Sequence, residues 1–406
     1  MRGSLALLVA TTACLSRPVG LPGDAGTGDG EPGHSEPWPV PGAVIGRTLA
    51  RDANGDGILD LLVTSDRGVY VLGGGTGFGA GYHAFVATPF VPLALDVADV
   101  GGSPAPELAV LGVAPGGAAR VELHEGLGAA WFAAAGWQRD FADLEPKASA
   151  GRGLWLLDSD GDGRGNVLVA DANGLYAGEP AALTELGVSE MPLVQVVGDN
   201  ATYFISVEDL AVLPGAGKAD LVVTDAFSAW VYAGDGTDSY PAARRTEISY
   251  GASFDLAAHA DLDGDGVPEL VGGYYGFLEG VSLSLHRVLP YQGDAVPSHS
   301  KVVSLAARFG QLDRDAAQRP DLVLMRHITD AAGAPTDTEL VLIRNLAVVA
   351  GNLTTTATVV TRVLPGLYAG FEVGDFDHDG RAEIIVVARD GALTCLRSGD
   401  NAFDPC

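Results

Sequence analysis

Four stretches of nine residues concentrate oxygen-bearing side chains in this chain of 406 residues. Residues 52–60 read DANGDGILD, 158–166 read DSDGDGRGN, 261–269 read DLDGDGVPE and 375–383 read DFDHDGRAE. Each has an acid or amide at positions 1, 3, 5 and 9 and glycine at position 6. Side chains at 1, 3 and 5 converge inside such a turn. The backbone carbonyl at position 7 adds a neutral oxygen, and position 9 closes the far side. This donor set suits Ca2+, which takes six to eight oxygens at flexible geometry, and glycine at position 6 permits the sharp turn. The ligand sets are Asp52, Asn54, Asp56 and Asp60; Asp158, Asp160, Asp162 and Asn166; Asp261, Asp263, Asp265 and Glu269; and Asp375, Asp377, Asp379 and Glu383. Four Ca2+ ions of structural role are expected.

The elements behind these loops are strands. An EF-hand needs a bidentate Glu at position 12 and flanking helices. Here position 12 is Val63, Val169, Gly272 or Val386, and the residues after position 9 are the apolar, mostly β-branched runs LLVTS, VLVAD, LVGGY and IIVVA. Such runs read as buried strands.

Weaker copies lie midway between the strong ones. Residues 99–107 read DVGGSPAPE, 212–220 read VLPGAGKAD and 313–321 read DRDAAQRPD, each ending in an acid followed by an apolar run. The unit therefore recurs seven times, roughly every 50 residues, enough for four short strands. Sheets of that size bury little alone and share a core when stacked radially. An all-β, seven-bladed β-propeller is expected, closed by pairing of the chain ends, with residues 36–50 beside 392–406. Asp313, Asp315 and Asp321 keep part of a ligand set, which leaves a fifth metal site open. The loops at 99–107 and 212–220 read as metal-free turns.

These units resemble the FG-GAP/VCBS-type repeats of the integrin alpha-subunit propeller and its bacterial relatives. The pattern of that family has Phe-Gly before the calcium loop and Gly-Ala-Pro after the following strand. Here Phe309-Gly310 precedes the sixth loop, Gly272-Gly273 follows the fifth and Ala114-Pro115 follows the second. The likeness spans residues 43 to 398. It implies calcium loops on one face, joining first and second strands of a blade, and a ligand on the opposite face.

Residues 1–13 look like an export signal: Arg2 is the single charge, 5–10 form an apolar core, and small residues precede Cys14. Two processing routes fit, ordinary cleavage after Ala13 or lipidation at Cys14. Residues 14–42, rich in Gly and Pro, then form a tether to a domain at 43–406. Cys395 and Cys406 remain, either a disulfide in an oxidising compartment or two free thiols. The expected location is the outer membrane through a lipid anchor, or the periplasm or exterior. A net charge of −28, from 52 acids against 24 bases, disfavours nucleic acid and anionic membrane surfaces. A monomer is expected.

The chain lacks HExxH, GxSxG, P-loop and CxxC motifs, and its eight His are scattered. A Ca2+ caged by protein oxygens has no open position for substrate. The leading reading is therefore a non-enzymatic propeller that binds a protein or glycan. The alternatives are a polysaccharide lyase-like enzyme, for which Tyr274, Tyr275, Arg244 and Arg245 are candidates by proximity alone and none is named catalytic, or a lectin stacking sugars on Trp131, Trp137 or Trp230. Residues 127–152 and 328–338 are candidate partner loops. His378, at loop position 4, and His259 read as structural.

Overall fold

The computed structural model describes residues 45–75, 78, 81–101, 105–141, 153–159, 162–170, 175–178, 184–185, 209–213, 220–224, 228–234, 245–249, 256–274, 277–293, 302–312, 319–355, 359–398 and 403–406. The signal and tether segments, 1–42, lie outside them. Among the described residues there is no α-helix, and the single helical turn is the 3-10 segment Gly128–Ala130.

The described residues hold thirty strands, in six four-stranded sheets and one six-stranded sheet. The first sheet holds β1 (Ile45–Arg51), β2 (Asp60–Ser65), β3 (Gly68–Leu72) and β4 (Ala84–Ala87). The second holds β5 (Val91–Ala98), β6 (Glu107–Val113), β7 (Ala119–Gly126) and β8 (Phe132–Phe141). Next come β9 (Leu154–Leu157), β10 (Asn166–Ala170), β11 (Leu175–Gly178) and β12 (Thr184–Glu185), then β13 (Asp209–Leu213), β14 (Asp220–Thr224), β15 (Ser228–Tyr232) and β16 (Arg245–Ser249). β17 (Leu256–Ala260), β18 (Glu269–Tyr274), β19 (Phe277–Ser282) and β20 (Arg287–Gln292) precede β21 (Val302–Gly310), β22 (Asp321–Thr329) and β23 (Pro335–Ile343). A hairpin of β24 (Ala347–Val349) and β25 (Asn352–Thr354) leaves that sheet before β26 (Val360–Pro365) returns to it. The last sheet holds β27 (Tyr368–Gly374), β28 (Glu383–Ala388), β29 (Leu393–Ser398) and β30 (Phe403–Pro405).

Within each four-stranded set the strands meander, so neighbours in the sheet pair antiparallel. β25 adds to β20 in parallel, Tyr291 opposite Leu353, and covers an edge that would otherwise be open. The first strands touch in a closed circuit: β1 meets β5, β5 meets β9, and so on through β13, β17, β21 and β27 back to β1. The second strands are buried on both faces, which is why they are continuous apolar runs rather than alternating ones: Leu61, Leu62 and Val63 are fully buried. The core lies between sheets. Leu62 and Val69 pack with Leu95, Leu108 and Val110 of the next sheet, and Leu278 and Leu289 with Leu322 and Val341. The arrangement is propeller-like, as expected.

Of the segment 36–50 expected beside 392–406, residues 36–44 lie outside the described residues; Ile45 packs with Leu393 and Cys395, and the described chain ends share no sheet. β1 belongs to the first sheet and β30 to the last. Where these two sheets meet, the Gly75 N–H donates to the Phe376 carbonyl at 2.6 Å and the Ile45 N–H to the Arg389 carbonyl at 3.4 Å, and side chains pack across the seam. Ile45, Leu61 and Tyr70 pack against Phe376, Ile385 and Val387. The Thr48 hydroxyl donates to Glu372 Oε1 at 2.9 Å, and Arg308 holds the same carboxylate through two bonds of 2.8 and 2.9 Å. Cys395 and Cys406 form a disulfide that ties β29 to the chain end.

Candidate metal loops and the braces beneath them

Every loop that the sequence singles out joins the first and second strands of its sheet. In the four strong ones the backbone is organised by the same bonds. The N–H at position 6 donates to the position-1 carboxylate: Gly57 to Asp52 at 2.8 Å, Gly163 to Asp158 at 2.9 Å, Gly266 to Asp261 at 3.0 Å and Gly380 to Asp375 at 2.9 Å. The N–H at position 7 donates to position 5: Ile58 to Asp56, Arg164 to Asp162, Val267 to Asp265 and Arg381 to Asp379. The position-6 glycines take φ of 83° to 89°, a left-handed conformation that L side chains rarely adopt. His378 at position 4 is forced to φ 60°, a conformation its counterparts Gly55 and Gly264 take without strain.

The fifth and seventh loops bring their carboxylates together. Asp261, Asp263 and Asp265 each aim an oxygen within 4.8 Å of the others, as do Asp375, Asp377, Asp379 and Glu383. In the first loop Asn54 donates to Asp56 at 3.0 Å. In the third, Asp158, Asp162 and Asn166 are placed, and Asp160 lies outside the described residues.

Position 9 has a further role that sequence reasoning missed. It is buried in six of the loops: Asp60, Glu107, Asn166, Glu269, Asp321 and Glu383 are all at most 4% exposed. One of its oxygens accepts the N–H of loop position 2, from Ala53, Val100, Ser159, Leu262 or Phe376, at 2.8 to 3.0 Å. In three sheets it also accepts an N–H from beyond the third strand: Gly74 to Asp60, Gly234 to Asp220 and Asn345 to Asp321. Position 9 is thus a brace from strand to loop. This explains why the acid recurs in 99–107 and 212–220, where the other ligands are missing. The signal was the persistence of that acid in loops without DxDxDG.

The pairs that flank each loop measure its length. Arg51 faces Asp60, Ala98 faces Glu107, Leu157 faces Asn166, Ala260 faces Glu269 and Gly374 faces Glu383, always nine positions apart. Leu213 faces Asp220 seven apart, too short for the turn, and Gly310 faces Asp321 eleven apart. In that sixth loop the brace runs from Leu312 to Asp321 at 2.9 Å, so Leu312 holds position 2 and Gln311 holds position 1. The loop is thus two residues longer than the nine-residue form, and its position 1 is Gln311 rather than Asp313. Asp313 and Asp315 lie outside the described residues.

The remaining atom of position 9 decides what each loop can hold. Glu269 Oε1 is buried and has no hydrogen-bond partner; it lies outside the 4.8 Å cluster that the three aspartates of its loop form, though their charges act on it. Burial, then the neighbouring Asp263, Asp265 and Asp261, push its carboxyl up to about 7, against the bonding of Leu262 N–H. A buried, unsatisfied carboxylate oxygen is costly, and a divalent cation held by the three converging aspartates, with Glu269 closing in from the strand, would satisfy it. The fifth loop fits Ca2+. The first fits less strongly, because both oxygens of Asp60 already accept N–H bonds; burial raises that group to about 6. In the third loop the amide oxygen of Asn166 accepts from both N–H and hydroxyl of Ser159, and the atom left over is an amide nitrogen, Nδ2, with no ligand lone pair. In the seventh, Arg397 from β29 fills the ring. Its Nη2 lies 2.6 Å from Asp377 Oδ2, 3.1 Å from Asp379 Oδ2 and 2.9 Å from Glu383 Oε1.

The other candidates are placed as follows. Trp230 is buried in β15, while Trp131 and Trp137 are half-buried and pack on inter-sheet cores, so all three serve blade packing. Tyr274 and Arg245 lie in β18 and β16; Tyr275 and Arg244 lie outside the described residues. The turn 330–334 between β22 and β23 is exposed and held by Asp330, which accepts the N–H groups of Ala332 and Ala334. His259 is an exposed residue of β17.

No family profile and no curated protein matches this chain. Among solved structures, a crystal structure of BBS1N in complex with ARL6DN, soaked with lead, is similar at TM-score 0.51 and 11% identity, over 86% of this chain and 90% of that one. A lectin of Agrocybe aegerita that recognises non-reducing terminal N-acetylglucosamine is similar at 0.49 and 13%, over 89% and 87%. The extracellular domain of the putative one-component system BT4673 from B. thetaiotaomicron is similar at 0.39 and 11%, over 88% and 46%. With the circuit of radial sheets and the likeness to BBS1N, the chain is a β-propeller.

Proposed function

We propose that this chain is an exported, calcium-stabilised propeller of the FG-GAP/VCBS type, a non-enzymatic module that presents one face to a protein or glycan. In this reading the six-stranded sheet counts as one blade, the fifth of seven, β24 and β25 being an addition to its edge. Ca2+ is held by the fifth loop most tightly, by the first, and by the third more weakly because of Asn166. The observation that carries the calcium reading is the convergence of Asp261, Asp263 and Asp265 above the buried, unpartnered Glu269 Oε1. The ion would be structural: it would join loop to strand, with Asp261, Asp263, Asp265 and Glu269 supplying oxygens. The Cys395–Cys406 disulfide supports export to an oxidising compartment, and the N-terminal pattern supports an anchor at Cys14. The net charge supports a partner other than nucleic acid.

Elemental analysis of the purified protein, with melting in chelator and in calcium, tests the metal. Bound calcium and a higher melting temperature in calcium support it; no bound metal and an unchanged melt overturn it. Glycan-array binding without turnover tests the module, and product release from a bound polysaccharide would replace it with an enzyme. The mass of the mature N-terminus reads the anchor directly.

A further inference from the structure

We propose that Arg397 is the resident cation of the seventh loop, making the last blade independent of calcium; this rests on the calcium reading of the other loops. The guanidinium contacts Asp377, Asp379 and Glu383, which are loop positions 3, 5 and 9. These are the side chains an ion would need. Its Nε also donates to Glu383 Oε1 at 3.1 Å. Glu383 Oε1 is the counterpart of Glu269 Oε1, bare in the fifth loop and doubly bonded here.

The difference traces to one register position on the third strand. Ser282 faces Glu269 directly, and in the first sheet the residue next after the Leu61–Leu72 pair is Gly73, which has no side chain to reach Asp60. In the last sheet the residue after the Ile384–Leu396 pair is Arg397, which places its side chain over Glu383. A planar guanidinium carries several donors in a fixed fork and stays charged at any ordinary pH, so it can bridge three carboxylates permanently. Bonding to Glu383 raises the arginine further.

The placement has a structural consequence. This blade closes the circuit without strand pairing to β1, and β29 also carries Cys395, disulfide-bonded to Cys406. Both devices on β29 work without a diffusible ion, so the closing blade stays assembled when calcium is removed and the ion-dependent loops relax.

The test counts bound calcium per chain in the full-length protein by elemental analysis after equilibrium dialysis, with melting followed in parallel. Arg397→Met is expected to gain one Ca2+ over the unmodified chain, Arg397→Lys to gain none, and Asp377→Ala in the unmodified background to lose none. Glu269→Gln is expected to lose one, a result that reports on the calcium reading itself and separates its failure from failure of the arginine proposal. If Asp377→Ala loses an ion, calcium already occupies the seventh loop with Arg397 displaced, and the proposal is overturned. If Arg397→Met gains no ion, the arginine is not standing in for one, and the proposal is overturned likewise. Should Arg397→Met fail to fold, the Asp377→Ala count decides alone.

Discussion

The fifth and seventh loops share a backbone, three aspartates and a buried glutamate brace, yet they solve the same electrostatic problem differently. In each, carboxylates are crowded within a few ångströms, where like charges repel by about 1 to 4 kcal/mol per pair at effective dielectrics of 80 to 20. The fifth leaves Glu269 Oε1 without a partner, while the seventh turns Arg397 inward. The motif alone therefore does not decide metal dependence. The residue facing position 9 on the third strand does.

The largest expected effect comes from stripping calcium. At a hundredfold excess over the dissociation constant each ion contributes about 2.7 kcal/mol, so two to three sites make chelation lower the melting temperature markedly. Calcium should restore it and Mg2+ should restore it less, because Mg2+ demands stricter octahedral geometry. A melt indifferent to chelator would erase the contrast between the loops. Removing the disulfide by Cys395→Ser should cost about 2.8 kcal/mol, the chain-entropy value for a sequence separation of 11. That loss should be similar with and without calcium if the last blade is ion-independent; a loss seen in chelator alone would link the two.

Single substitutions sharpen the comparison. Asp263→Ala should forfeit one ion's share, about 2.7 kcal/mol in calcium and little in chelator. Asp377→Ala should cost under about 1 kcal/mol in either, because Arg397 keeps Asp379 and Glu383 and the Asp377 contact is well exposed. Equal calcium-dependent losses would contradict the account.

How much of the molecule is legible in the sequence depends on the residue. The repeated acidic loops and the apolar runs behind them are local patterns, so the strands and the propeller architecture can be read directly. The sixth loop misleads because Asp313 imitates position 1. Its true register is set by the bond between Leu312 and Asp321, which no spacing rule shows. Arg397 is hidden because its importance comes from pairing across a hairpin, fourteen residues beyond Glu383.

A smaller effect lies away from both loops and serves as a control. His124, buried on β7, has Nδ1 3.0 Å from the Ala133 carbonyl and Nε2 3.7 Å from Glu122. Burial holds its pKa below the ordinary 6.5. A histidine depressed in the fold contributes stability above its unfolded pKa and loses it as pH falls through the folded value, at about 1.4 kcal/mol per unit of depression. Glu122, raised by burial, has the opposite sign, losing stability as pH rises above its ordinary 4.5. The His124 contribution should therefore be lost as pH drops below about 6.5, against the opposite trend of Glu269 and Asp60, and His124→Gln should remove that contribution without changing the calcium response. Ser103→Ala, in the second loop, should change neither.

Anomalous diffraction from crystals grown in calcium tests the central claim most directly. The account predicts a calcium peak inside 261–269, coordinated by Glu269 Oε1, and no peak inside 375–383, where Arg397 remains on Asp377, Asp379 and Glu383. A calcium peak in the seventh loop with Arg397 turned out to solvent, or an empty fifth loop, would contradict it.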